Sequence, residues 1–315
     1  MGFMRKWLIF LGMLAAVAVL PQPSHARSLP QAQKAAVSGR FVTDETGRSM
    51  TIPRDVRRIV SLAPNLTEIV YALGAGDRLV GDTNYCDTPP EAKEKPHIGN
   101  PQHPSLEGIV ALRPDLVLAT GSINFPQTAD TLLKLGIPVY TTYPHTVLQM
   151  LDSISEIADL IGANAQAEAL KTSLRARLDA LHARLADQPM VHVLFLVWLS
   201  PPMSVGSNTF IADALRWAGA ESILVSDQNW PQPSFEEVFS IQPDYIVMTS
   251  DQGDAKTDLT DLRANPDWKN LMAVKLGRVV TVSDAFERPS PGLVDAIEAL
   301  AHELHPEVFG WGPAQ

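Results

Sequence analysis

The chain has 315 residues, a formal net charge of −10 and one cysteine, Cys86. An acidic chain is a poor match for nucleic acid or an anionic lipid surface, because both call for a basic face. A lone cysteine excludes an internal disulfide framework, and no low-complexity tract interrupts an ordinary globular composition.

Arg5 and Lys6 precede an apolar run over residues 7–20, which Pro21 and Pro23 break before Ser24-His25-Ala26. A basic start, an apolar centre and a small-residue site predict a signal peptide over residues 1–26. The run is shorter than the ~20 residues that span a bilayer, and no cysteine stands at the processing point to carry a lipid. Cleavage after Ala26 removes two positive charges, taking the formal net charge from −10 to −12, and sends the remaining 289 residues to the periplasm. That length suits two domains of about 100–150 residues.

Residues 27–56 read as an extension ending in a hairpin, with Phe41-Val42-Thr43 and Met50-Thr51-Ile52 on either side of Asp44-Glu45-Thr46-Gly47. A first lobe is expected over residues 57–145. Its strands fall at 59–62, 79–81, 116–119 and 138–142. Its helices open at Asn65, with Glu68 as a capping-box partner, at 106 behind Ser105, and at 127. Residues 146–188 form a helical linker with apolar residues at helical spacing. Two helices are predicted there, 147–161 and 165–186, the second about 33 Å long at 1.5 Å per residue. Lys171, Arg175, Arg177, Asp179 and Arg184 mark its outer face. A second lobe is expected over 189–308, with strands at 191–198, 223–226, 245–249 and 279–282 and helices at 208–218, 235–241 and 292–304; a tail follows at 309–315. Alternation of this kind predicts an α/β fold of two Rossmann-like lobes with parallel sheets, joined by a long rigid backbone helix.

The two lobes repeat each other. Residues 104–120 read PSLEGIVALRPDLVLAT and residues 233–249 read PSFEEVFSIQPDYIVMT. Pro104/Pro233, Ser105/Ser234, Glu107/Glu236, Pro114/Pro243, Asp115/Asp244 and Thr120/Thr249 are identical. LGAGDRLVGDTNY at 73–85 also answers AGAESILVSDQNW at 218–230, setting Tyr85 opposite Trp230. Two copies more than 100 residues apart are too few for a solenoid and fit two facing lobes with a ligand cleft between them.

Catalytic and nucleotide signatures are absent. Gly74-Ala75-Gly76 ends a helix instead of opening one, so it presents no helix N–H groups to a phosphate. No nucleophile stands beside a base, so the chain reads as a binder and not an enzyme. His97, His103, His145 and Asp284 could form a metal site only by converging from separate loops, and surface histidines are commoner.

In open α/β sheets ligands sit past the strand C-termini. That rule nominates Asn84 and Tyr85, residues 100–103, then Ser122, Asn124 and Phe125 in the first lobe. In the second it nominates Trp198, Asn229, Trp230, Ser250, Asp251, Asp284, Phe286 and Arg288. Tyr85 and Trp230 gain weight from the repeat, each following an asparagine. Glu107 and Glu236 sit in the first turn of equivalent helices, where the dipole alone favours a carboxylate by about 0.3–1 kcal/mol. Being related by the internal symmetry, they could also serve a two-fold partner with paired arginines.

The segments RIVSLAPNLTEIVYALG, YCDTPP, LEGIVALRPDLV, WPQPSFEEV and SDAFERPSP resemble the periplasmic binding proteins with a helical backbone, which serve ABC importers of cobalamin, ferric siderophores or haem. WPQ and FERPSP are similar to the cobalamin-binding branch in particular. The repeat and the uninterrupted periodicity of 165–186 predict a monomer, and the resemblance implies no cofactor of its own. Its cargo would be a corrinoid, or alternatively a ferric chelate, haem or a divalent metal. It implies that Tyr85, Trp230, Asp284 and Arg288 line the pocket and that Glu107 and Glu236 dock on arginines of the transmembrane subunits. The chain departs from the cobalamin binders at Pro101 and Thr120, where they carry tryptophan, and from the haem binders at Asn100, where they carry a ligating tyrosine.

Overall fold

In the computed structural model, which describes residues 39–249 and 259–310, the chain opens on the expected hairpin of β1 (Gly39–Thr43) and β2 (Ser49–Pro53). The signal peptide, Ser250, Asp251 and the end of the tail lie outside the described residues. The Asp44 carboxylate accepts from the N–H groups of Thr46 and Arg48 and from the Thr46 hydroxyl, which closes the turn.

The first lobe follows as β3 (Ile59–Ser61), α1 (Pro64–Ala72), β4 (Leu79–Gly81), α2 (Leu106–Leu112), β5 (Leu116–Thr120), α3 (Pro126–Lys134) and β6 (Val139–Thr142). Its four strands are parallel in the order β4-β3-β5-β6. Two helices come next, α4 (Val147–Ile161) and α5 (Asn164–Leu185). The second lobe starts with β7 (Val191–Leu196), a small hairpin of β8 (Trp198–Leu199) and β9 (Pro202–Met203), α6 (Phe210–Trp217) and β10 (Ala220–Ser222). It continues with α7 (Phe235–Ile241), β11 (Tyr245–Thr249), α8 (Leu259–Ala264), α9 (Met272–Lys275), β12 (Val279–Val282), α10 (Leu293–Leu304) and α11 (Pro306–Phe309). Its order, β10-β7-β11-β12, is the same winding a second time.

The sequence repeat has a structural cause. Segments 104–120 and 233–249 become α2–β5 and α7–β11, at the same place in two separate sheets. Ser105 Oγ accepts from the Gly108 N–H at 3.0 Å, and Ser234 Oγ accepts from the Glu237 N–H at 3.1 Å. Each helix ends on a left-handed residue, Arg113 (φ 46°) or Gln242 (φ 54°). Asp115 then accepts from the N–H groups of Arg57 and Arg58, while its own N–H donates to the Arg58 carbonyl. Asp244 does the same with His192. The Pro-Asp pairs therefore pin the start of each lobe's first strand to its central neighbour.

Strands buried on both faces explain the near-continuous apolar runs. Along β5, Leu116 and Leu118 face one core and Val117 and Ala119 the other. Along β7, Val193 and Phe195 face that same first core, and Leu194 and Leu196 face a third. The first core thus runs unbroken through both lobes, by way of α1, α4, α5, α6 and α10.

Three local expectations are corrected. α1 begins at Pro64 with Ala63 as an N-cap that supplies no side-chain bond. Proline fits the first turn because it has no N–H to leave unpaired. Asn65 and Glu68 are buried there instead of capping. The strand expected at 223–226 lies at Ala220–Ser222. Ile223 and Leu224 leave the ladder to fill the outer core, and Val225 is 94% exposed, so the apolar run marked a packed turn. The charged face of α5 is mostly tethered. Arg177 bonds Glu298 and Asp295 on α10, and Arg184 donates to the Val308 carbonyl and lies over the Phe309 ring.

Candidate ligand-binding cleft

Both sheets aim their strand C-termini at the boundary between the lobes, and a pocket open to solvent lies there. The first lobe contributes Gly121 and Ser122 after β5 and Tyr143, Pro144 and His145 after β6. The second contributes residues 208–211 at the start of α6, with Asn229, Trp230, Glu287 and Pro289. Tyr143 lies directly over the Gly121 backbone, where a Cβ would come within 2.8 Å of the ring. His145 packs edge-on to it, with centroids 4.4 Å apart. Trp230, 49% exposed, stands on the other wall.

The predicted residues divide. Asn229 and Trp230 line the cavity; Asn84 and Tyr85 on their loop and Trp198 on the β8–β9 hairpin are exposed and are not among its lining residues. The Asn84–Tyr85 loop is held from beneath, where the Thr67 hydroxyl donates to Cys86 Sγ at 3.2 Å. Burial raises the Cys86 thiol's pKa above its ordinary value. Trp198 is turned back on its own hairpin, its Nε1 donating to the Ser200 carbonyl. Phe286 does not reach the cleft. It is fully buried and stacked on Phe195 in the shared core, because the short turn at Asp284–Glu287 points it inward and Glu287 toward the cavity. Asn124 is a strut. It accepts from the Thr120 N–H and donates to the Leu62 and Pro101 carbonyls, leaving no free group for a ligand.

Arg288 is already engaged. It pairs with Asp284 on its own turn, with Glu68 of α1 at 3.1 Å and with Asp87 at 3.8 Å. Glu68 also accepts from the Ser290 hydroxyl at 2.5 Å, so a buried carboxylate of the first lobe is bound to two groups of the second. Burial raises the pKa of Glu68 against the lowering effect of Ser290 and Arg288. A further bridge runs from the Val147 N–H at the start of α4 to the Asp213 carboxylate on α6.

The four groups imagined as a metal site are dispersed. His97 bonds Asp82, His103 packs against Phe125, His145 against Tyr143, and Asp284 holds Arg288. Among the described residues no three His, Cys, Asp or Glu side chains converge to hold a metal ion. Glu107 and Glu236 are exposed in the first turns of α2 and α7, one on each lobe. Tyr143, Asn208, Thr209 and Glu287 are cleft residues that the sequence reading passed over, and His145, considered there only as a metal ligand, lines the same wall.

Two like α/β lobes with a polar-aromatic cleft at their boundary are the architecture of a two-lobed binding protein. The sequence matches the family Periplasmic binding protein over residues 59–285, and the chain belongs to that family. It is accordingly a substrate-binding protein of transport and not an enzyme. An uncharacterized ABC transporter substrate-binding lipoprotein of Bacillus subtilis is 29% identical over 96% of this chain and 97% of its own length. The crystal structure of the periplasmic vitamin B12 binding protein of Vibrio cholerae superposes with a TM-score of 0.71 at 27% identity, covering 81% of this chain and 98% of that one. A periplasmic heme-binding protein from Roseiflexus, in apo form, gives a TM-score of 0.71 at 26% identity, covering 80% and 99%.

Asp82 beneath the Tyr85 loop gives a pH signature. Its side chain is fully buried, His97 Nδ1 lies 2.7 Å from Oδ1, and Oδ2 has no protein partner. Burial pushes its pKa up to about 6 despite the histidine. The folded chain therefore holds this proton more tightly than the unfolded one. The resulting stability is present at low pH and is lost as pH rises through about 6. Relative to Asp82→Asn, the wild type should lose up to about 3 kcal/mol between pH 4 and 7 in urea titrations. Parallel pH profiles for the two proteins would contradict this.

Proposed function

We propose that the protein captures a corrinoid of the cobalamin type between its lobes in the periplasm and delivers it to an ABC importer. The observation that carries this reading is the chemistry of the cleft wall. Tyr143 and Trp230 offer flat aromatic faces, while Ser122, Asn208 and Asn229 offer neutral hydrogen-bonding groups. No lysine or arginine lines the cavity among the described residues. The nearby Arg288 is occupied by three carboxylates. A corrinoid presents a flat ring edged with neutral carboxamides, which this wall complements. Haem presents propionates, which call for cations. The similarity to a vitamin B12 binding protein supports the same reading.

Periplasmic delivery rests on the signal-like N-terminus and on the family. Among the described residues no helix is long and apolar enough to cross a membrane. The relative in Bacillus is a lipoprotein, whereas the only cysteine here, Cys86, is buried. Docking on a two-fold permease would use Glu107 and Glu236. Both are exposed, both follow a capping serine, and neither carboxylate has a hydrogen-bond or ion-pair partner among the described residues.

Stacking on an aromatic ring has effects of about 1–3 kcal/mol, so Trp230→Ala should weaken vitamin B12 binding about 5- to 150-fold by calorimetry. Unchanged affinity would remove Trp230 from the site. A wild type that ignores vitamin B12 and binds haemin or a ferric siderophore would replace the cargo.

Glu107→Ala combined with Glu236→Ala should leave cargo affinity and melting temperature unchanged while transport by the reconstituted importer falls sharply. Rim charges act on encounter and docking, so the wild type's stimulation of the importer's ATPase should weaken as salt rises. Normal transport by the double variant would reduce the two acids to helix-start charges.

A further inference from the structure

We propose that Glu45, on the β1–β2 turn, is a positioning residue for the cargo: it fixes the loop after β6 so that the Tyr143 ring stands as a wall of the cleft. Its service to a corrinoid rests on the reading above; its hold on Tyr143 does not. The turn lies ahead of residues 59–285, the span matched to the family.

β6 is an edge strand in the order β4-β3-β5-β6. The outer backbone groups of an edge have no neighbouring strand and need other partners. The β1–β2 turn supplies them. Asp44 Oδ2 accepts from the Thr141 N–H at 3.2 Å, and the Glu45 N–H donates to the Thr141 carbonyl at 3.2 Å. Glu45 Oε2 then accepts from the Tyr143 N–H at 2.5 Å, just past the end of the strand. Glu45 Oε1 accepts from the hydroxyl of Ser153, buried on α4, at 2.5 Å. One carboxylate thus ties the hairpin to the strand before the loop and to the helix after it. That loop carries Tyr143, Pro144 and His145 into the cleft.

The ring depends on this anchor. Tyr143 is 37% exposed, so burial alone does not hold it. It lies over Gly121, where a Cβ would come within 2.8 Å, and His145 packs edge-on with centroids 4.4 Å apart. Those contacts set the face of the ring only while its backbone stays in place. An ionised carboxylate accepts at both oxygens, whereas a protonated one carries a donor that competes with the Tyr143 N–H and the Ser153 hydroxyl. The groups around Glu45 are mostly acidic. Asp44 stands on its own turn, and α4 adds Asp152 and Glu156, the latter already accepting from the Tyr140 hydroxyl. His145 shares the same hollow, and Arg48 of the hairpin pairs with Asp130 of α3. Burial raises the Glu45 pKa above its ordinary value, with Glu156 and Asp44 adding to the rise and Ser153 and Tyr143 opposing it. The anchor is therefore complete at neutral pH and is lost as pH falls through that raised value.

The test is carried out on the full chain. In nuclear magnetic resonance, the Glu45 carboxyl carbon and the Tyr143 amide should titrate together, with a midpoint above the ordinary carboxylate range. Glu45→Gln, which keeps the length and one accepting oxygen, should remove that titration from the Tyr143 amide. In calorimetry, Glu45→Ala should weaken vitamin B12 binding about 2- to 12-fold, the effect of one hydrogen bond, and Glu45→Gln should weaken it less. The same Glu45→Ala change made in Tyr143→Ala should have no further effect, because residues that act through one another are not additive. Affinity in the wild type should fall more steeply on acidification than in Glu45→Gln, a difference that separates Glu45 from Glu287 in the cleft. A Tyr143 amide that ignores Glu45 overturns the proposal, as does an equal loss of affinity from Glu45→Ala with and without the Tyr143 ring. Unchanged affinity in Tyr143→Ala removes the ring from the cargo, and the positioning role with it. If the Tyr143 amide titrates with Glu45 and the wild type ignores vitamin B12, the anchor stands and the corrinoid reading falls.

Discussion

The geometry of the cleft depends on one continuous apolar core that belongs to neither lobe alone. Leu116 and Leu118 of the first sheet, Val193 and Phe195 of the second, and the buried faces of α4, α5, α6 and α10 form a single packed body. Leu174, Leu178, Leu181 and Leu185 of α5 all lie within it. Burial of one such side chain contributes about 1.5–3 kcal/mol. Swinging the lobes apart by a large angle would expose several of them at once. The exposed ion pairs between α5 and α10 are weak beside this, at about 0–1 kcal/mol each. The core therefore holds the two walls of the cleft, and the surface charges only trim it.

On the ligand side the lobes meet through polar contacts. Glu68 of the first lobe is bound by Ser290 and Arg288 of the second, and Asp213 of the second accepts from the first residue of α4. Removing one partner from a buried carboxylate is costly, because the charge left behind is unpaired. The contact thus resists separation at the floor of the cleft as the core does behind it. It also withdraws Arg288 from ligand chemistry, since one guanidinium faces Glu68, Asp87 and Asp284 together. The cavity that remains is aromatic and neutral-polar, with Glu287 as its one carboxyl among the described residues; burial raises that group's pKa as well.

The two-lobed plan was legible because its marks are local and repeated. A capping serine, a left-handed helix end and a Pro-Asp clamp recur at 105–115 and 234–244, and each has one physical meaning in both places. Side-chain direction was less legible. The segment at Asp284–Arg288 follows a strand, as a site loop should, but a single turn sends Phe286 into the core and Glu287 into the cavity. Asn124 sits past β5 as a ligand-binding residue would, and long-range carbonyls consume its groups. Tyr143 and His145 follow the C-terminus of β6, so the strand-end rule that nominated Tyr85 would also have nominated them. No repeat partner drew attention to them. Tyr143 lies on Gly121, next to Thr120 at the end of β5.

A direct test of the shared core is the distance between the lobes in solution, with and without ligand. Nitroxide labels can replace Lys134 at the end of α3 and Lys275 at the end of α9, both exposed and on opposite lobes, in a Cys86→Ser background. Pulsed electron resonance should give one narrow distance distribution for the free protein. Saturating vitamin B12 should displace it by a few ångströms at most. A bimodal distribution without ligand, or a displacement on binding as large as the ~10 Å diameter of a helix, would contradict the account. The lobes would then be hinged and not held by a common core.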